Sequence, residues 1–194
     1  IVGASEPSVL IANYLKNKDR RVVLIDSNGN HVAQAQKAGL EAIVCDIYED
    51  EIFENIELND IGYLLALTGS PIINDYALKK LSKAFGEEGA FRLISSEEMR
   101  DTGQNPSDGL FSPTDDYINI SEVVRDYPEI HEVKLKSPDH FRTILEVLDK
   151  EKQSIPVFIK HLKKEINVIS ANREDISIED GDLLVYLGKL IPNL

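Results

Sequence analysis

The chain has 194 residues, of which 42% are hydrophobic and 28% are charged, the composition of a globular, water-soluble protein. Its net charge of -13 argues against nucleic acid and against anionic lipid surfaces as partners. No apolar run is long enough to predict a membrane span, and no signal peptide is visible. The single cysteine, Cys45, excludes an internal disulfide and is predicted to be a buried thiol of a cytosolic protein.

The first part of the chain predicts a parallel sheet with crossover helices. It starts without Met, directly at the apolar residues IVG of a predicted strand, so we expect a piece of a longer protein. Short apolar runs then alternate with amphipathic segments over about 95 residues, which is typical of a doubly wound α/β fold. The predicted helices are 7–17, 31–38, 49–56 and 72–85, and the predicted strands are 20–26, 41–46, 62–68 and 91–95. SNGN before the second helix predicts a turn, Gly39 predicts the end of that helix, and Ser95 and Glu98 have the capping-box spacing of a further helix start.

A second, smaller unit follows a change of pattern after residue 100. Residues 101–109 are rich in turn formers, 109–113 predict a short strand, and 117–126 predict a connecting helix. Residues 129–194 predict a β-α-β-β-β order, with strands at 129–136, 155–162, 166–171 and 182–189 and a helix at 137–150. The apolar stripe of this helix is predicted to be Phe141, Ile144, Leu145 and Leu148. We therefore predict domains at 1–113 and 129–194, joined by a linker at 114–128.

The opening stretch IVGASEPSV has the spacing of a phosphate-binding turn. Gly3, Ser5 and Ser8 stand at the three glycine positions of G-x-G-x-x-G, in front of a predicted helix. Serines are small, and their hydroxyls can donate to a phosphate oxygen, whereas Glu6 adds a negative charge to the same loop. An ordinary turn with a helix cap remains the alternative.

Further polar residues end the predicted strands, where doubly wound sheets bind their ligands. Asp26 follows Ser8 by 18 residues, close to the spacing of an acid that accepts ribose hydroxyls. Arg92 offers a cation for a phosphate, and a surface ion pair is the alternative for it. Both acids, Asp26 and Asp46, also fit plain strand ends. The candidate set is Gly3, Ser5, Ser8, Asp26, Ser27, Asp46, Thr68 and Arg92.

The sequence offers no catalytic or metal-binding motif. The histidines (His31, His131, His140 and His161) lack the spacing of a metal or catalytic set, and no H-E-x-x-H, G-x-S-x-G or P-loop pattern occurs. We therefore predict neither a metal site nor an enzyme.

The first part of the chain resembles the TrkA-N (KTN or RCK) domains. The match rests on Gly3-Ala4-Ser5, VVLID, AQAQKAG leading to EAIVCD, ALT with Thr68, Asn74, and FRLIS with Arg92. The segment 129–194 resembles the companion TrkA-C domain through its β-α-β-β-β order and ISIEDGDLLVYLG.

The resemblance implies a regulatory, non-catalytic module at the cytoplasmic face of the membrane. It implies binding of NAD(H) or an adenine nucleotide (ATP, ADP or AMP), with Gly3, Ser5 and Ser8 toward phosphates and Asp26 toward the ribose. Asp46 would lie on the adenine side, and Thr68 and Arg92 in the rest of the crevice. It further implies a homodimer and a membrane-embedded transporter domain as partners.

The predicted function is the cytosolic regulatory domain of a monovalent cation:proton antiporter. The alternatives are a soluble subunit or gating ring of a potassium transport system, and an NAD-dependent oxidoreductase. The chain departs from the family pattern because serines replace two glycines, Cys45 precedes Asp46, and no acid follows Thr68 closely. These departures leave open a domain that serves mainly for dimerisation.

Overall fold

The computed structural model describes residues 1–49, 62–82, 89–101, 106–162, 165–173, 176–192 and 194. The chain divides into two compact units, Ile1–Leu93 and Ile94–Leu194. In the described part of the chain, no helix combines the length and hydropathy needed to cross a bilayer.

The first unit is built on parallel strands. Its elements are α1 (Glu6–Lys16), β1 (Val23–Asp26), α2 (Gly29–Lys37), β2 (Glu41–Val44), β3 (Tyr63–Ala66), α3 (Pro71–Leu81) and β4 (Gly89–Leu93). β1 pairs with β2 and β3 pairs with β4, both in parallel. The residue Val2 joins the two pairs because it bridges Ile25 of β1 on one side and Ala66 of β3 on the other.

The resulting order is β2-β1-Val2-β3-β4, so the first predicted strand is reduced to one bridging residue. Its backbone is nevertheless bonded on both sides: the Val2 N–H donates to Leu65 O at 2.8 Å, and the Gly3 N–H donates to Ile25 O at 2.7 Å. The order reverses direction at Val2, because β1 lies on one side of it and β3 on the other. Such a reversal places a crevice beyond the carboxyl ends of these strands.

Alternation along the strands gives the sheet two buried faces. Leu24 packs with Ala12 of α1 and with Val32 and Ala35 of α2. Its neighbours in β1 point the other way and form the second cluster, which α3 covers: the buried members of that cluster are Val2, Val23, Ile25, Ile47, Leu64, Ala66, Ala77, Leu78 and Leu81. The predicted α/β fold of this part is confirmed.

Local signals set the helix ends of this unit. Gly39 follows α2 with φ +78°, so the predicted glycine stop is confirmed. The start of α2 is two residues earlier than predicted, because Asn28 caps it by accepting from the Asn30 N–H at 2.9 Å. Residues 27–30 (SNGN) therefore contain the bend after β1, the N-cap of α2 and the first residues of that helix.

The second unit carries an antiparallel sheet. Its elements are α4 (Ser96–Asp101), β5 (Gly109–Leu110), α5 (Tyr117–Asp126), β6 (Ile130–Lys134), α6 (Pro138–Glu151), β7 (Ser154–Lys160), β8 (Ile166–Val168) and β9 (Leu183–Gly188). The four-stranded sheet has the order β6-β9-β7-β8. The predicted β-α-β-β-β order is confirmed, and the four predicted stripe residues of α6 are all buried.

A capping box begins α4, as the spacing of Ser95 and Glu98 predicts. The Ser95 N–H donates to the Glu98 carboxylate at 3.0 Å, and the Glu98 N–H donates to Ser95 Oγ at 3.2 Å. Such reciprocal bonds satisfy two N–H groups that the helix itself leaves without a carbonyl partner.

The division into compact units falls after Leu93, and the predicted end of the first domain at residue 113 stays a prediction. Within the second unit, β5 and α5 contact later parts of the chain. Leu110 of β5 bridges Ser170, and the Ala171 N–H donates to Gly109 O at 2.7 Å. The predicted linker helix, α5, also packs on β9.

Three predicted features fall partly or wholly outside the described residues. They are the helix at 49–56, the end of the helix at 72–85, and the loop at 101–109.

Candidate functional site

The turn after Val2 requires glycine at its first position. Gly3 has φ +98°, a conformation that L residues rarely adopt. A Cβ built at Gly3 would lie 3.0 Å from the Leu67 carbonyl oxygen and 3.2 Å from Thr68 Cγ2. The backbone therefore passes close to the end of β3, and the turns after Val2 and after β3 meet at the crevice.

The two serines of the opening motif occupy different environments. Ser5 is the N-cap of α1 and is half-buried, and its carbonyl accepts from the Val9 N–H at 2.9 Å. Ser8 is completely buried, and its Oγ lies 3.4 Å from Ser5 Oγ. A small residue at Ser8 thus lets α1 pack closely on the sheet, which is the packing role of the third glycine in the fingerprint.

The first turn of α1 has only some of the features of an anion-binding helix N-terminus. A helix N-terminus favours an anion through its dipole and its N–H groups. Pro7 has no N–H to offer, and the exposed Glu6 places a carboxylate in the same turn. The remaining N–H groups and the Ser5 hydroxyl could donate to a phosphate oxygen, but with less positive potential than a glycine-only loop.

Asp26 connects three pieces of backbone at the end of β1. Its Oδ2 accepts from the Ala4 N–H at 2.8 Å, and its Oδ1 accepts from the Asn28 N–H at 2.8 Å. The ring of His31 lies on the same carboxylate, with Nδ1 3.2 Å from Oδ2. The side chain keeps 16% of its surface exposed, so it is accessible while it holds the first turn and the start of α2.

Hydrogen bonds connect Thr68 to Ser70 and to Asn74 at the start of α3. Asn74, which is 1% exposed, accepts from the Thr68 N–H at 3.0 Å and from the Thr68 hydroxyl at 2.7 Å. It also donates to Thr68 O at 3.0 Å. The Ser70 N–H donates to Thr68 Oγ1 at 3.2 Å. Thr68 therefore shapes the loop beside Gly3, and its methyl group borders the glycine.

The other candidate residues lie farther along the sheet. Asp46 is exposed beyond β2 and accepts from the Tyr48 N–H at 3.0 Å in a turn. Ser27 is exposed in the turn between β1 and α2. Arg92 is 8% exposed on β4 and pairs in register with Ala66. The structure thus brings Gly3, Asp26 and Thr68 together around the switch point, with the remaining candidates on either side.

Two members of this constellation escaped the sequence reasoning about the site. In the sequence, Asn74 carries only a family resemblance, and its bonds to Thr68 depend on the packing of α3 beside β3. His31 has a spacing that matches no metal or catalytic motif. The available signal was its position in the first turn of a helix that follows directly after Asp26.

Two other kinds of reactive group bear comparison with this site in the described residues: metal-ligand clusters and the cysteine thiol. No set of three or more His, Cys, Asp or Glu side chains that could hold a metal occurs among the residues described. Cys45 is half-buried rather than buried, because it packs on the α3 side of the sheet near its edge strand. Burial, together with the charges of Glu49 and Asp46, raises the pKa of its thiol. This thiol is therefore a poor nucleophile at neutral pH.

A parallel sheet of this order, with a glycine turn and an acid at its carboxyl edge, defines a Rossmann-like nucleotide-binding domain. A family model identifies one family within this class. The TrkA-N domain model matches residues 1–101, which is more than half of the chain. The chain belongs to the TrkA-N domain family.

The chain is also similar to a solved structure. It is the crystal structure of the NAD(P)-binding domain of an exopolyphosphatase-related protein from Archaeoglobus fulgidus. The two chains share 16% identity at a TM-score of 0.43, over 52% of this chain and 75% of that one. No curated protein matches this chain at a significant level.

Proposed function

We propose that this chain is the cytosolic regulatory region of a monovalent cation:proton antiporter, of the Na⁺/H⁺ or K⁺/H⁺ type, and that it senses an adenine nucleotide or NAD(H). The observation that carries the sensing part is the meeting of the Gly3 turn, the Asp26 carboxylate and the Thr68 loop at the switch point of the sheet. Ligands of doubly wound folds bind at this place.

The proposed roles follow from the positions of the residues. The backbone around Gly3 and Ser5 lies at the N-terminus of α1, where a phosphate is favoured. Asp26 keeps part of its surface exposed and carries the acceptor oxygens that ribose hydroxyls need. Asp46 is exposed beyond β2 and would face the adenine, while Arg92 would balance phosphate charge from the β4 side.

The mechanism in this proposal is a shift of population. Two chains would dimerise through the Rossmann-like unit, and nucleotide would bind one arrangement of that dimer more tightly than the other. A ligand shifts such an equilibrium only by its difference in affinity for the two arrangements. The second unit, which lies largely outside the family match, would act as a TrkA-C-like domain and pass the shift to the transporter.

Thermal unfolding of this 194-residue chain tests the sensing part. A ligand at 100 times its dissociation constant adds about 2.7 kcal/mol to the stability of the state it binds. We expect NAD, NADH, ADP, AMP or ATP at about millimolar concentration to raise Tm, and Asp26→Asn to abolish the rise. The exposed Asp75 of α3 gives a matched control, Asp75→Asn, that should keep it. The absence of any rise with every ligand would contradict the sensing role and favour a dimerisation domain.

The transporter part has a separate test. The full-length chain that contains this segment should carry about ten or more apolar spans of about 20 residues, as an antiporter does. Two to four spans would instead indicate a channel with a gating ring, and a full-length chain without any would indicate a soluble subunit.

A further inference from the structure

The acceptor capacity of Asp26 is largely used by the protein itself. An ionised carboxylate offers about four lone-pair positions, two on each oxygen. Oδ2 receives the Ala4 N–H at 2.8 Å and faces His31 Nδ1 at 3.2 Å, and Oδ1 receives the Asn28 N–H at 2.8 Å. One position on Oδ1 is left, whereas a ribose diol presents two hydroxyl donors.

Of these three donors, only the His31 ring can leave. The Ala4 and Asn28 N–H groups belong to the turns that bracket Asp26, and both are fixed by the backbone. The His31 ring stands in the first turn of α2, and 44% of its side-chain surface is exposed. Because a carboxylate only accepts, Nδ1 must carry the proton that it shares with Oδ2. Rotation about the side-chain bonds would free that lone pair and move the ring into solvent.

We infer that His31 is a specificity-determining residue that competes with the ribose of the nucleotide for Oδ2 of Asp26. This inference rests on the proposed nucleotide site. Binding of both ribose hydroxyls requires the imidazole to turn away, so part of the binding free energy is used to break the His31–Asp26 contact. His31 thereby lowers the affinity for ribonucleotides without touching their phosphates or base.

Calorimetric titration with two probes tests this competition. ADP carries both ribose hydroxyls, and 2′,3′-dideoxy-ADP carries neither. We expect His31→Ala to bind ADP about tenfold more tightly than the wild type, the scale of one charge-assisted hydrogen bond. The same variant should bind dideoxy-ADP with unchanged affinity. His31→Asn, whose amide N–H stands near the place of Nδ1, should restore the wild-type affinity for ADP.

The control is Gln34→Ala, at an exposed position farther along α2, which should bind both probes as the wild type does. An unchanged or weaker affinity of His31→Ala for ADP would overturn the role of His31 while leaving the nucleotide site in place. An equal gain for both probes would also overturn it, since the effect would then not pass through the ribose. Failure of wild type and His31→Ala alike to bind ADP would overturn the inference, and failure of both to bind NAD, NADH, AMP and ATP as well would overturn the proposed site. Thermal unfolding without ligand verifies that each variant is folded.

Discussion

The turn at Gly3 makes a quantitative prediction about stability that is independent of any ligand. Gly3→Ala places a Cβ on a backbone with φ +98°, 3.0 Å from the Leu67 carbonyl oxygen. A strained backbone of this kind costs about 1–3 kcal/mol, and the contact with a carbonyl of the sheet allows little relief. We expect a loss of about 2–3 kcal/mol, which for a chain of this size lowers Tm by roughly 4–12 °C.

The chain supplies a matched control in Gly29, at the start of α2. A Cβ at Gly29 would meet only Val44 Cγ2 at 4.0 Å, which is an ordinary contact. Gly29→Ala should therefore leave the free energy of unfolding unchanged or raise it by up to about 1 kcal/mol. Urea denaturation followed by circular dichroism measures both variants. Equal stabilities of Gly3→Ala and Gly29→Ala would refute the argument that the turn depends on glycine.

Three further predictions concern buried polar groups and the thiol. Asn74→Ala should destabilise the first unit by about 2–4 kcal/mol in urea denaturation, because the half-buried Thr68 N–H and C=O lose the partner that the buried Asn74 amide supplies. Cys45 should react slowly with iodoacetamide at pH 8 and faster as the pH rises, because its thiol pKa is raised. Burial also raises the pKa of the Asp115 carboxyl above its ordinary value of 3.8. Between the pKa of this carboxyl in the unfolded chain and its higher pKa in the native protein, the native state binds more protons than the unfolded state. The free energy of unfolding of the wild type therefore falls as the pH rises through this range. Asp115→Asn should gain stability relative to the wild type from pH 4 to pH 7.

Each of these predictions has a control or a contrary outcome. Asp75→Ala, on the exposed side of the same helix as Asn74, should cost less than about 1 kcal/mol. Asp46→Asn should speed the alkylation of Cys45, because the Asp46 charge helps to raise the thiol pKa. If the difference between Asp115→Asn and the wild type declined toward pH 7, the hydrogen bonds from Ser112 and Asn119, together with the charge of Arg173, would outweigh burial.

Periodicity and capping chemistry were sufficient to predict most of the fold. Strand alternation and helical stripes are local properties, so the parallel order of the first unit and the β-α-β-β-β order of the second could be predicted from the residues. The same holds for the glycine stop at Gly39 and the capping box of Ser95 and Glu98, which act within one or two turns of helix.

Features that depend on distant contacts could not be predicted in this way. The contacts of β5 with residues 170 and 171 join segments that lie far apart in the sequence. Ser8 matches a glycine of the fingerprint, but its complete burial depends on how α1 lies on the sheet. The spacing of Asp26 predicted an acid at the strand end, yet its bond to the Ala4 N–H joins residues 22 apart in sequence.

The double use of Asp26 decides which experiment on the site is informative. Since its carboxylate holds the turn after Val2 and the start of α2, replacing it disturbs the very backbone that would bind phosphate. A loss of nucleotide binding in Asp26→Asn is therefore compatible both with a lost ribose contact and with a displaced turn. A gain of ADP affinity in His31→Ala, absent for the dideoxy probe, has only the first explanation, because a displaced turn would weaken both probes. The gain-of-affinity variant is thus the stronger evidence that Asp26 receives a ribose.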